Sequence, residues 1–323
     1  MSLQATLPKL SPAEMLTLSV IIVNWNGSEL LEACLDAVYR TLDTVRAEVI
    51  VVDNASTDDS VAMVGARFPQ VRMIQNDVNR RFAAANNQAI CESRGRYLLL
   101  LNSDTEVKPG ALSALISLLD TYLNVGVVGP KLLNSDGSWQ QSAYRFPTVW
   151  GESIMLLGEG VWKPLLGSTY PHYPPTEVAR PVDWVTGACL MVRRDVVDAV
   201  GLIDESFFFY TEETDWCYRI RQAGWLVMYQ PEAVVVHHGG GSSGGVSLQR
   251  RRLLYGSKQQ FFEKHYGRRA ANQYGAAVWL TSWMKMGIWQ LVAALANGQR
   301  REVARHNARS YATLLGLTSR TGA

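Results

Sequence analysis

Four short clusters in this chain have the residue types and spacing to do chemistry. Asn102-Ser103-Asp104 follows the leucine-rich run Tyr97–Leu101. A carboxylate there can ligate a divalent cation, and one protein carboxylate suffices when phosphate oxygens complete the shell; the same tripeptide is also ordinary turn chemistry. Asp53 ends the apolar run Glu48–Val52. It can accept hydrogen bonds from a ribose or a pyrimidine ring N–H, and DNASTDD equally suits a helix-entry turn. Glu212-Glu213-Thr214-Asp215 follows the aromatic run Phe207–Tyr210. Crowded carboxylates against aromatic rings raise a pKa toward the general-base range. Acids in a first turn also favour the helix dipole, with Thr211 as cap and Asp215 paired to Arg219 at i+4. His237 and His238 enter a glycine-rich run, 237–245. They read either as metal ligand and diphosphate contact beneath a mobile lid, or as a linker.

Regular elements must hold these clusters. Leu18–Asn24 is a continuous apolar, β-branched run, the mark of a strand buried on both faces. Glu48–Val52, Val71–Gln75, Tyr97–Leu101, Val125–Val128 and Ala233–Val236 read as further strands, with Val182–Arg193 also ordered. Helical patterns cover Glu29–Thr41, a stretch from Asp58 capped by Ser56 or Thr57, Ala83–Arg94, Pro109 to Tyr122, Arg194–Val200 and Glu212–Ala223. The alternation predicts an α/β fold with a mostly parallel sheet flanked by helices. Ligands bind beyond the carboxyl ends of such strands. That expectation picks out Asn24–Gly27, Asp53–Asn54 and Asn102–Asp104, all polar. Residues 134–182 lack periodicity and read as an irregular insertion along the crevice.

With 323 residues, 47% of them apolar, the chain can form one large or two modest domains. Disordered, collagen-like and disulfide-scaffold classes are excluded. The net charge of +2 argues against nucleic acid as a partner. That average hides a split: residues 1–245 carry 18 basic and 27 acidic side chains, residues 246–323 carry 13 and 2. The basic tail suits an anionic surface or is a solvated helical face. Ala276–Ala296 is apolar with three Trp and a single charge, Lys285. Lys285, Gln290, Ser282 and Thr281 fit a helix lying on a membrane surface better than a span; a packed helix or a homodimer face fits equally. Cys34, Cys91, Cys189 and Cys217 lack CxxC spacing and read as small buried hydrophobes in a reducing compartment. Residues 1–17 have no secretory apolar core, so the expected location is the cytoplasm, peripheral to the inner face of the plasma membrane if the tail docks there.

In order, the segments SVIIVNWNG, EVIVVDNASTDDS, NRRFAAANNQAI, YLLLLNSDTEV, VTGACLMVRRDV, FFFYTEETDWCYRIRQAGW and VVVHHGG resemble the family 2 glycosyltransferases, inverting enzymes of the GT-A fold. LLYGSKQQFFEKHYG (253–267) is similar to the tail of bacterial rhamnosyltransferase-like members. The resemblance implies a Rossmann-like GT-A domain over 18–245, with a nucleotide-binding half (18–130) and an acceptor and catalytic half (131–245). Residues 1–17 form an N-terminal extension and 246–323 a basic, helical C-terminal region. It further implies that Asp53, with Asn24 and Asn26, holds the nucleotide, and that Asn102 and Asp104 occupy a DxD-type motif. Asp104 and His237 would hold a divalent metal, Mg2+ or Mn2+. Glu213 takes the place of the catalytic base and Asp215 that of a second acid. Arg81 and Gly187 would meet the donor, and Trp184 and Glu212 the acceptor. The sequence departs from the family in three places: Asn102 replaces the first Asp, Glu213 the commoner Asp, and Arg81 a frequent Gly.

The implied activity is inverting transfer from a nucleoside-diphosphate sugar, dTDP-L-rhamnose or a UDP-sugar, to a hydroxyl of a glycan or lipid-linked saccharide in cell-surface polysaccharide synthesis. A sugar nucleotidyltransferase would need a glycine-rich basic loop where NWNGSEL stands. A nicotinamide enzyme would need GxGxxG there. A non-catalytic nucleotide- or glycan-binding subunit would keep the fold; Asn102 favours it, while Asp53, Asp104, Glu213 and His237 together weigh against it.

Overall fold

Consecutive β-branched and leucine residues leave no polar face in β1 (Leu16–Asn24), β2 (Ala47–Asp53) or β4 (Gly95–Asn102), so these strands need cover on both sides. The computed structural model describes residues 14–42, 45–158, 170–208, 210–239 and 248–318. Its main sheet runs β3 (Arg72–Gln75), β2, β1, β4, β11 (Cys189–Arg193), β6 (Val125–Leu133), β12 (Leu226–His237), β5 (Thr105–Val107). β7 (Trp139–Gln140) joins β6 and β9 (Arg180–Val182) joins β12, giving ten strands among the described residues. β8 (Ala143–Tyr144) and β10 (Trp184–Val185) pair with each other. β1 is parallel to β2 and β4, and β6 to β12, whereas β11 runs antiparallel between β4 and β6.

Strand alternation sends Leu18, Val20 and Ile22 to one face and Ile21 to the other. The first face is covered by α1 (Ser28–Thr41), α2 (Ser60–Arg67) and α4 (Ala111–Thr121) through Leu31, Leu35, Val64 and Leu115. The second is covered by α3 (Arg81–Glu92), α6 (Arg194–Val200) and α7 (Glu212–Gln222) through Ile90, Val196 and Trp216. Register sets Asn24 beside Asp53, and Val23 beside Asn102. Three polar loops therefore leave the sheet side by side at its carboxyl edge.

Several boundaries differ from expectation. α2 starts at Ser60, not Asp58, and its N-cap residue makes no side-chain bond; Ser56 and Thr57 bond instead to the loop after β1. β12 is far longer than Ala233–Val236, and its pairing with β6 slips between Gln230 and Val234, around Pro231, which has no N–H to give to a ladder. β5, β7, β8, β9 and β10 are each three residues or fewer, too short to show a period.

The chain forms two compact units: Met1–Phe146 with His172–Ser243, and Pro147–Pro171 with Gly244–Ala323. In the second, α5 (Val149–Leu157) joins α8 (Leu248–Tyr266), α9 (Arg268–Leu295) and α10 (Gly298–Thr318). Leu156, Phe262, Tyr274 and Val278 make a small core there, and Lys258 meets Glu152 at 2.6 Å. Residues 1–13 of the N-terminal extension and 240–245 of the glycine run lie outside the described residues.

Candidate active site

The loops after β1 and β2 are latched by side chains. Asn24 Nδ2 donates to Asp53 Oδ1 at 3.2 Å, and the other Asp53 oxygen accepts the Ser56 N–H at 2.9 Å. Ser56 Oγ accepts the Asn26 N–H at 2.9 Å, and Asn26 Oδ1 accepts the Thr57 N–H at 2.7 Å. Asn24 Oδ1 is buried and unpartnered, an acceptor that a ligand donor would satisfy. Asn54 extends the latch: its Oδ1 accepts from Asn76 and from the Arg80 N–H, and its Nδ2 donates to the Arg81 carbonyl.

Antiparallel pairing of β12 with β5 sets His237 opposite Thr105 and brings Asp104 to the histidine. Asp104 Oδ1 lies 3.3 Å from His237 Nε2, and Asn102 Nδ2 lies 3.5 Å from the same nitrogen. Gln140 fixes the tautomer. Its Nε2 donates to Asn134 Oδ1 and to the His237 carbonyl, so its Oε1 must be the atom that accepts from His237 Nδ1, at 2.7 Å. Nδ1 then carries a proton, which leaves Nε2 as the nitrogen that faces the carboxylate and can offer a lone pair to a cation. Two electron-rich atoms so placed suit a shared cation, with the second nitrogen held as metal-bound histidines usually are. Among the described residues no group of three or more His, Cys, Asp or Glu converges as a metal cage, so this pair would depend on ligand oxygens to complete a shell. His238 turns away, to Glu106 and Ser135, each at 2.9 Å.

Glu213 stands at the start of α7. Burial raises its pKa, and the backbone N–H groups of neighbours including Gly187 pull against that rise. Its Oε2 is buried without a partner. Glu212 is 5% exposed, its Oε2 likewise unpartnered; burial and the adjacent Glu213 push its pKa up to about 8. Asp215 is fully buried and pairs with Arg219 at 2.8 Å, whose guanidinium also donates to the carbonyls of Val200 and Leu202. Thr211 is not a side-chain cap: its backbone is left-handed (φ 75°) and its hydroxyl makes no capping bond.

A short path joins the acids. Asn102, beside His237, donates its N–H to the Ala188 carbonyl at 2.9 Å, and the preceding Gly187 bonds to Glu213. Trp184 stacks on Tyr144 at 4.1 Å between ring centroids, with its indole N–H on the Arg145 carbonyl at 2.9 Å. The Arg81 guanidinium lies 3.6 Å over the Phe208 ring, a contact with no sequence signal. Gln140 was equally invisible in a segment without periodicity. The non-glycine residues with positive φ among the described residues are Asn26, Ala55, Arg81, Tyr210 and Thr211. Asn26 and Ala55 lie in the loops after β1 and β2, Arg81 opens α3, and Tyr210 and Thr211 precede α7; functional loops and helix starts are a usual home of stored backbone strain.

Residues 19–201 match the family described as Glycosyl transferase family 2. The N-acetylglucosaminyl-diphospho-decaprenol L-rhamnosyltransferase of Mycobacterium tuberculosis is 31% identical over 239 residues, 68% of this chain and 75% of that protein. Mannosyltransferase PcManGT from Pyrobaculum calidifontis, solved with GDP-Man and Mn2+, superposes with a TM-score of 0.56 at 16% identity, over 95% of this chain and 85% of that one. GalNAc-T7, solved with UDP, GalNAc and Mn2+, gives 0.53 at 17% identity, over 77% and 50%. The fold is that of the GT-A glycosyltransferases. The chain belongs to glycosyl transferase family 2 and is similar within it to a rhamnosyltransferase.

Proposed function

We propose that this glycosyltransferase moves a sugar, with inversion, from a nucleoside diphosphate to a hydroxyl of a lipid-linked saccharide in cell-surface glycan synthesis. The observation that carries the reading is Glu213: a buried carboxylate with one open oxygen, bonded to the segment that also contacts Asn102. Inversion needs one base, because the diphosphate departs without protonation, unlike the leaving group of a hydrolase. The acceptor oxygen attacks the anomeric carbon as its proton passes to Glu213. The bond from that carbon to the diphosphate oxygen breaks, and the electron pair leaves with the nucleotide.

In this reading Asp53, Asn24 and Asn26 hold base and ribose, and Arg81 and Gly187 border the donor. Asp104 and His237 hold a divalent cation, with Asn102 beside them; when bound, such a cation supplies charge stabilisation to the departing diphosphate. The two Mn2+ complexes of this fold support that assignment. Glu212 and the Trp184–Tyr144 stack face the acceptor, and Asp215 acts through Arg219 to fix α7. The relative named for L-rhamnosyl transfer and a diphospho-decaprenol-linked sugar supports dTDP-L-rhamnose as donor and a lipid-linked acceptor, used on the cytoplasmic side. In domain terms, 18–130 would serve the nucleotide, 131–245 the acceptor and chemistry, and 246–323 attachment.

A thermal-shift screen of nucleotide sugars with and without Mn2+ tests the donor, because ligand binding to the folded state raises the midpoint. dTDP-L-rhamnose with Mn2+ should give the largest rise, and nuclear magnetic resonance of the product should show the opposite anomeric configuration. A product with retained configuration, or stabilisation by no nucleotide sugar, would overturn the proposal.

A further inference from the structure

α9 leaves an apolar stripe uncovered. Its buried face carries Ala271, Tyr274, Val278, Thr281 and Ser282. Three of those carry hydroxyls, Tyr274, Thr281 and Ser282, and the Thr281 hydroxyl is satisfied by the Ala277 carbonyl at 2.7 Å. Lys285, the one charge in the apolar stretch, lies 5.8 Å from the centre of the Tyr311 ring on α10. Thr281, Ser282 and Lys285, three of the four residues that made the stretch look polar, are thus turned toward protein, while Gln290 is exposed. Leu280, Met284, Ile288, Leu291 and Leu295 are exposed instead. Their spacing of four, four, three and four puts them on one side of a 3.6-residue helix, flanking the buried face at about 110° from it. Ile288 is 58% exposed, Leu291 62% and Leu295 77%. Trp279 and Trp283 border the stripe and are also exposed. From Leu280 to Leu295 the stripe is about 22 Å long, continuous and uncharged, and far from what scattered surface leucines explain.

Its ends are basic. Arg269, exposed, falls on the same side one turn beyond Gln273. At the other end Arg300 lines a cavity of ≈ 550 Å³ with Trp289, Val292, Leu295 and Val303. A second groove beside it is lined by Arg305 and Arg309. The acids of residues 246–323 are only Glu263 and Glu302, against 13 basic side chains. No described helix is long and apolar enough to cross a membrane. Apolar length with interfacial tryptophans and flanking arginines is the make-up of a helix lying within a headgroup layer.

We propose that the exposed face of α9, with the arginines at its ends, docks this protein on an anionic lipid bilayer, the leucine stripe sunk into the acyl boundary and the arginines on lipid phosphates. The surface lies wholly within the C-terminal unit and needs no assumption about the sugar transferred. A second copy of the chain would cover the apolar stripe but would set one basic tail against another, whereas anionic headgroups match both the stripe and the charge.

The test is flotation of the full-length protein with vesicles of phosphatidylcholine alone or containing phosphatidylglycerol, with light scattering to follow the oligomeric state. Wild type should float with the anionic vesicles and be released in part by salt, since exposed charges are screened. Ile288→Asp should weaken partitioning at least about tenfold. Arg300→Ala should weaken it about fivefold, from about 1 kcal/mol per basic residue at such a surface. Both sites are on the surface, so circular dichroism should be unchanged. Quenching of tryptophan fluorescence by brominated acyl chains should fall in the Trp279→Phe, Trp283→Phe double variant. Absence of flotation at low salt, equal flotation of Ile288→Asp, or a dimer that Ile288→Asp dissociates without any vesicle binding would each overturn the proposal.

Discussion

Gly187 lies against Glu213, its backbone N–H bonded to the carboxylate and its α-carbon pressed toward the Phe82 ring. A β-carbon on Gly187 would stand 3.2 Å from Phe82 Cζ and 3.7 Å from Glu213 Cβ. The glycine is needed for space, since its φ is not left-handed. Gly187→Ala should leave the protein folded and lower kcat about 10–100-fold, because small displacements of a reacting group are costly. Steady-state kinetics beside a thermal melt checks this, and an unchanged kcat would mean that the contact does not position the base.

Arg81 has φ 70° and places its guanidinium over Phe208. Left-handed backbone costs an L-residue roughly 1–2 kcal/mol, while the cation–π contact returns about 0.5–2 kcal/mol. Arg81→Ala keeps the strain and loses the contact; Arg81→Gly loses both. The glycine variant should therefore be more stable than the alanine variant by about 1 kcal/mol in urea unfolding. The reverse order would show that the strain is relaxed by its surroundings.

Gln140 holds His237 Nδ1 at 2.7 Å. Losing such an outer partner typically weakens a metal site 10–100-fold. Gln140→Leu should raise the Mn2+ concentration needed for half-maximal activity by about that factor, and Mn2+ titration followed by paramagnetic resonance should show the same shift without donor turnover. An unchanged Mn2+ affinity would detach Gln140 and His237 from the cation.

Glu212 gives a stability signature. Its folded-state pKa is raised to about 8, first by burial and then by Glu213. The folded form thus holds a proton that the unfolded chain releases at ordinary carboxylate pH. Stability from this group is full below the unfolded pKa and falls as pH rises toward about 8. Urea midpoints of wild type should decline across that window, and Glu212→Gln should flatten the decline. Parallel curves for the two proteins would place the proton elsewhere.

The parts of the site legible in the sequence are those that end long apolar strands. Asn24, Asp53 and Asn102 sit where β1, β2 and β4 stop because β-branched runs give way to polar residues there. The Asp215–Arg219 pair was legible from helical spacing. What escaped depends on contacts between segments far apart in the chain. The antiparallel insertion of β11 and the three-residue β5, which brings His237 to Asp104, have no period to read. The cross-loop use of Ser56 and Thr57 was hidden because the same residues make good helix caps. On α9, composition left an interfacial helix, a packed helix and a dimer face open; packing shows that Thr281 and Ser282 turn inward.

The most direct measurement compares donor affinity with turnover in Glu213→Gln. Glutamine keeps the size of the side chain and removes the proton acceptor. Donor binding by calorimetry should be unchanged, and kcat should fall by about 10²–10⁴-fold, the worth of a positioned base, with the acid-limb pH dependence of the remaining rate lost. A variant that binds donor and transfers sugar at the wild-type rate would contradict the assignment of Glu213 as the group that takes the acceptor's proton.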